Sequence, residues 1–163
     1  MAAITTTSIA ITSYSSTYGV GVSNSYGSCP TGGSGVGKNN DRGGARYTVT
    51  IATAGSYVMD VQFGSSTWSD KSYGRWDAEA SSSTYDLYAG ESQNNALVSS
   101  TARTLTAGTH YFYLGSATDG NYYTLPWCSL TLRSLGGALA SSPPPPPVAA
   151  VAATTTTSIA ITR

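Results

Sequence analysis

The chain has 163 residues, 40% of them hydrophobic and only 10% charged, with eight basic residues balancing eight acidic ones. That length supports one domain with its own core plus a tail. Zero net charge without a basic stripe excludes nucleic acid and anionic membrane surfaces as electrostatic partners.

From the N-terminus, the first predicted element is the strand-like "ITTTSIAIT", Ile4 to Thr12. A weaker strand, "YGVGVS", covers Tyr18 to Ser23. The stretch "GSCPTGGSGVGKNNDRGGAR", Gly27 to Arg46, is rich in Gly and polar residues and reads as a long surface loop. Strict alternation follows: Tyr47, Val49 and Ile51 share one face of "RYTVTIAT", and Tyr57, Met59, Val61 and Phe63 share one face of "SYVMDVQF". The Thr-Ala-Gly turn at 53–55 between them predicts a hairpin with a common buried face. "GRWDAEA", "TYDLYAG" and "NALVS" are short strands bounded by Ser, Asn or Gly. A second Thr-Ala-Gly turn at 106–108 leads into a strand with His110, Phe112 and Leu114 opposed to Tyr111 and Tyr113, predicting a second hairpin. "WCSLTLRSL" closes the series with Cys128, Leu130 and Leu132 on one face. Nine or ten short strands without a helix predict an antiparallel jelly-roll-like β-sandwich. About three residues in ten are Ser or Thr, while the helix builders Lys, Glu and Leu are scarce, which agrees.

The pattern breaks at Gly136. Residues 1–135 are expected to form the sandwich, including an N-terminal strand at 4–13, and 136–153 a Gly/Ala/Pro-rich linker. Its five consecutive prolines, Pro143, Pro144, Pro145, Pro146 and Pro147, predict a polyproline II rod of about 15 Å. Residues 154–163 then repeat the beginning: Ile9 recurs as Ile159, Ala10 as Ala160, Ile11 as Ile161 and Thr12 as Thr162, at a constant offset of 150 positions. The repeat marks one unit of a tandem array or a strand exported to a neighbouring molecule. In the second case Ile9 and Ile11, or Ile159 and Ile161, lie on the face that sets the register of an exchanged terminal strand.

Two cysteines, Cys29 and Cys128, are read as one disulfide, the alternative being two buried thiols. With so few charges, hydration must come from hydroxyls or from groups attached to them. Ser141, Ser142, Thr154, Thr155, Thr156 and Thr157 beside the prolines are candidates for O-linked glycans, after hydroxylation of the prolines. No N-x-Ser/Thr acceptor occurs.

Catalytic constellations are weak. His110 is the only base for a Ser-His-Asp arrangement and sits mid-strand, where a packed or hydrogen-bonded histidine is expected. Asp77, Glu79, Asp86 and Glu91 could supply a carboxylate pair but read as sheet-face residues. Asp41, Asp70 and Asp119 lack calcium-loop spacing, so no cofactor is expected beyond covalent glycans. Trp68, Tyr73 and Trp76 in "WSDKSYGRW" are candidates for stacking on sugar rings; Tyr85, Tyr88 and Trp127 are further aromatics of the same kind. No apolar run is long enough to cross a bilayer, and "MAAITTTS" has no charged n-region or h-region, so no membrane insertion is expected.

"YTVTIATAGSYVMDVQF", followed by "TLTAGTHYFYLG" and "CSLTLRSL", resembles the β-jelly-roll carbohydrate-binding modules over about Ala45 to Leu135. The resemblance implies aromatic residues at a ligand face and often a structural calcium. In architecture, the terminal repeat and proline spacer resemble extracellular filament subunits that pass a strand to the next domain, and the hydroxyproline-rich linkers of glycosylated surface proteins. The reading is therefore a non-enzymatic, extracellular structural subunit, with identical subunits and glycans as partners. The alternative is a carbohydrate-binding adhesin module in a tandem-repeat surface protein.

Overall fold

A computed structural model describes residues 4–19, 22–37, 43–66, 71–77, 85–116 and 124–138. The expected boundary at Gly136 is not observed, because the last strand continues through residues 136–138 and Ala138 pairs Gly55. The rest of the linker and the second copy of the repeat, with Ser141, Ser142, Pro143–Pro147, Thr154–Thr157, Ile159 and Ile161, lie outside the described residues, as does Trp68.

The described residues form twelve strands and a single 3-10 turn at Glu91–Gln93. In chain order the strands are β1 (Thr6–Ile9), β2 (Ser16–Gly19), β3 (Ser23–Tyr26), β4 (Gly35–Gly37), β5 (Gly43–Ile51) and β6 (Gly55–Phe63). They continue with β7 (Lys71–Trp76), β8 (Leu87–Gly90), β9 (Leu97–Ser99), β10 (Arg103–Leu105), β11 (Gly108–Ser116) and β12 (Trp127–Ala138). One sheet has five strands in the order β2-β5-β11-β7-β8. The other has seven, in the order β10-β6-β12-β4-β3, with β1 also pairing β12 and β9 also pairing β6. All pairings are antiparallel, and the two sheets make the predicted sandwich.

The core is what alternation predicts. Tyr47, Val49 and Ile51 of β5 and Phe112 and Leu114 of β11 face Met59, Val61 and Phe63 of β6 and Leu130 and Leu132 of β12. The predicted hairpins are not hairpins, however. β5 belongs to the five-stranded sheet and pairs β11, whereas β6 belongs to the seven-stranded sheet and pairs β12. β10 and β11 are divided between the sheets in the same way. Each Thr-Ala-Gly connection thus steps from one sheet to the other. A strand that crosses the core presents its apolar residues to that core from the opposite side, so alternation looks the same in both arrangements.

The Gly-rich stretch also departs from the expected loop. Val36 in β4 is 1% exposed and faces Trp127 across the pair β4–β12, and β5 already begins at Gly43. The predicted strand Tyr18–Ser23 resolves into β2 and β3, which lie in different sheets. A bulge in β12 between Trp127 and Ser129 changes which residues point inward. Trp127 and Leu130 are therefore both fully buried, and Cys128 takes the bulge position, where it is bonded to Cys29 with 5.7 Å between Cα atoms.

Candidate functional site

The antiparallel register of the five-stranded sheet fixes what its outward face carries. One cross-strand row runs Tyr18, Gly44, Gly115, Tyr73, Tyr88 through β2, β5, β11, β7 and β8. The adjacent row runs Ser16, Arg46, Tyr113, Arg75. A tyrosine or an arginine thus occupies an outward position on every strand of this sheet, while the inward positions of the same strands fill the core.

The two glycines in the first row are a requirement of close approach. A Cβ on Gly44 would lie 2.7 Å from the Tyr18 hydroxyl, and one on Gly115 would lie 2.5 Å from it. The Tyr18 side chain therefore lies across a bare backbone floor, and its ring meets Tyr113 edge-on at 5.8 Å between centroids. Arg46 places its guanidinium 4.6 Å from the Tyr111 ring centroid, a cation–π contact on the same face. At the other margin Tyr73 packs on Tyr85 at 4.1 Å and on Tyr88 at 5.2 Å. Tyr88 is 51% exposed although its neighbours Leu87 and Ala89 are buried. Three clustered rings, one half open to solvent, offer apolar faces ringed by hydroxyls. Lys71, opposite Gly90, and Arg75 supply donors beside them.

Of the sugar-stacking candidates, Tyr73 lies on this face and Trp76 does not. Trp76 is 5% exposed and packs edge-on against Phe112 at 5.0 Å, because even-numbered residues of β7 point inward. Trp127 is likewise a core residue. Sequence reasoning missed Tyr18, Tyr113 and Arg46 as site residues. The outward phase of Tyr113 was legible from its opposition to Phe112, but the glycine-floored row depends on pairings between strands far apart in sequence.

The remaining chemical candidates are structural. His110 directs Nδ1 to Asp77 Oδ2 at 2.8 Å and Nε2 to the Thr106 carbonyl at 3.0 Å. Asp77 adopts φ 54° at the end of β7, and its other carboxylate oxygen accepts the Tyr111 N–H at 2.8 Å. The hydrogen bond that His110 donates to the Asp77 carboxylate raises the His110 pKa above its ordinary value, with the Thr106 carbonyl reinforcing it against partial burial. A raised folded-state pKa stabilises the fold fully below the unfolded value of about 6.5, and that contribution disappears as pH rises through the folded value. An NMR titration of His110 should show its midpoint above the ordinary value, and Asp77→Asn should bring it down. An unchanged midpoint in Asp77→Asn would show that the pair does not hold the proton.

Asp86, expected as a solvated sheet-face residue, is instead buried at 4% exposure, where it accepts hydrogen bonds from the Trp76 N–H at 2.9 Å and the Arg103 Nε–H at 2.6 Å and acts as a strut. Glu91 belongs to the 3-10 turn, and Glu79 lies outside the described residues. Among the described residues no group of three or more His, Cys, Asp or Glu could hold a metal ion. The residues weighed for calcium, Asp41, Asp70 and Asp119, are outside them. No helix among the described residues is long and apolar enough to cross a membrane.

No family model matches the chain, and no curated protein matches it either. Among solved structures it is similar to the C-terminal CBM6, a carbohydrate-binding module, of LamC, a marine laminarinase from Zobellia galactanivorans. That match has a TM-score of 0.50 at 19% identity and covers 78% of this chain and 98% of the module. The similarity is one of fold, and it supports the jelly-roll sandwich of this chain.

Proposed function

We propose that this sandwich is a non-enzymatic, extracellular carbohydrate-binding module whose glycan ligand lies on the tyrosine-lined face of the five-stranded sheet. The observation that carries the reading is the Tyr73–Tyr85–Tyr88 cluster. Its clustered rings, with Tyr88 half exposed, present flat apolar faces edged by hydroxyls, a surface suited to stacking on a sugar ring. The similarity of fold to a carbohydrate-binding module supports the same reading, and the Cys29–Cys128 bond fits an oxidising compartment. Affinity electrophoresis against a panel of soluble polysaccharides, laminarin included, tests it. At least one polysaccharide should retard the protein, and Tyr88→Ala should weaken that binding about tenfold, or ~1.4 kcal/mol, with an unchanged circular dichroism spectrum. Retardation by no polysaccharide, or full retention by Tyr88→Ala, would overturn the proposal.

A second reading, a filament subunit joined by strand donation and carrying O-linked glycans around Pro143–Pro147, is favoured by one observation. The N-terminal copy of the repeat occupies a sheet edge, pairing only with β12 among the described residues. In this reading the residues that follow β12, 139–153, are a spacer between sandwiches. Electron micrographs of the native material distinguish threads from separate particles, and an intact mass equal to that of the bare polypeptide would exclude the glycans.

A further inference from the structure

β1 holds its place through a small set of contacts that depend little on its own bulk. Thr6, Thr7, Ser8 and Ile9 lie opposite Arg133, Leu132, Thr131 and Leu130 of β12. Upstream, the Ser134 N–H donates to the Thr5 carbonyl at 2.9 Å, and the Thr5 N–H donates to Ser134 Oγ at 2.9 Å. Downstream, Ile9 and Ile11 pack on the core, and the Tyr47 hydroxyl donates to the Ile11 carbonyl at 2.8 Å. Tyr47 is fully buried, and burial, with Tyr14 adding to it, pushes its pKa well above the usual tyrosine range. Everything that recognises this strand is thus a ladder of backbone groups, two isoleucines and two latches.

Thr6, Thr7 and Ser8 are exposed, and a pocket of about 110 Å³ lined by Thr5, Thr7, Ile51, Tyr57, Leu132 and Ser134 borders the strand. A four-residue edge strand with one paired side belongs to the parts of a fold that open readily.

Residues 155–162 read TTTSIAIT, identical at all positions to residues 5–12. We infer that the β1 position of one chain is a docking slot for residues 155–162 of a second copy of the chain. Thr156, Thr157, Ser158 and Ile159 then face Arg133, Leu132, Thr131 and Leu130, with the Ile161 carbonyl on the Tyr47 latch. Every contact of the resident strand is available to the incoming one, so the two differ in local concentration and not in pairing energy. The contact is head-to-tail, which propagates into chains unless it closes into a ring. The inference rests on the strand-donation reading and is independent of glycan binding.

Residues directly opposite in an antiparallel pair lie about 4.5–5.5 Å apart between Cα atoms, within disulfide range. The test mixes a Ser158→Cys chain with a Thr131→Cys chain, each keeping its Cys29–Cys128 bond, under mild oxidation. A 158–131 heterodimer should form, increase with chain concentration, and exceed by about tenfold the product with Thr48→Cys, an exposed position on the other sheet. Equal capture at 48 and 131, or 158–158 homodimers alone, overturns the slot. Circular dichroism of each variant guards against misfolding. Threads that persist after deletion of 155–163 would also overturn the slot while leaving the filament reading intact.

Discussion

Replacing Cys29 and Cys128 together with serine should lower the unfolding free energy by about 4–5 kcal/mol, the chain-entropy value for closing a loop of ~100 residues. The bond spans 99 positions and ties the turn before β4 to the bulge of β12. Besides the bond, the Cys29 end is held by the reciprocal Ser28–Ser65 backbone bridge and the β3–β4 pairing, and the Cys128 end by the rest of β12. β4 is three residues long and pairs β12 only through Val36 and Trp127, and the bulged position interrupts the β6–β12 ladder. Single domains typically have about 5–15 kcal/mol of stability, so the loss is a large fraction of the total. Urea denaturation with and without reductant gives the value, and a change below about 1 kcal/mol would show that the folded ladder alone closes this end of the sandwich.

Trp127→Ala should cost about 3–5 kcal/mol, the range for truncating a fully buried Trp or Phe. Trp127 is 0% exposed, sits opposite both Phe63 and Val36, and donates its indole N–H to Ser72 Oγ at 3.1 Å. It therefore fills the junction where three strands of one sheet meet the Ser72 position of the other. Ser72 Oγ also accepts the Leu125 N–H at 3.1 Å, so its acceptor capacity is not wholly orphaned by the change. The main loss is volume. Trp127→Phe, which keeps a ring but not the donor, should fall between wild type and Trp127→Ala in thermal or chemical denaturation. If Trp127→Phe is as damaging as Trp127→Ala, the hydrogen bond outweighs the packing.

Alternation in the long strands was enough to identify the core, because period two is imposed locally by the pleat. Tyr47, Phe63, Phe112 and Leu130 are buried as their phase requires. Pairing was not legible to the same degree. β6 finds β12 some seventy residues away, and nothing in "TAG" says whether the next strand returns beside its predecessor or crosses the core. The bulge at Cys128 was equally hidden, since strict alternation assigns Cys128 the inward position that Trp127 takes. For the site, the outward phase of Tyr73 and Tyr113 could be read from sequence, whereas the row joining Tyr18 to Tyr88 over two glycines arises only when five strands align. The terminal repeat was plain in the sequence, and the structure adds the place that its first copy fills.

The pairing of β1 with β12 also has a consequence during synthesis. Among the described strands the first made is partnered by the last, so Thr6–Ile9 leaves the ribosome well over a hundred residues before Leu130–Arg133. At translation rates of about 5–20 residues per second, the wait is on the order of 6–25 s. Through that interval the segment has no sheet to join in its own molecule, and the inner face of the sandwich stays open at the same edge. The order of synthesis therefore makes this edge the last to close.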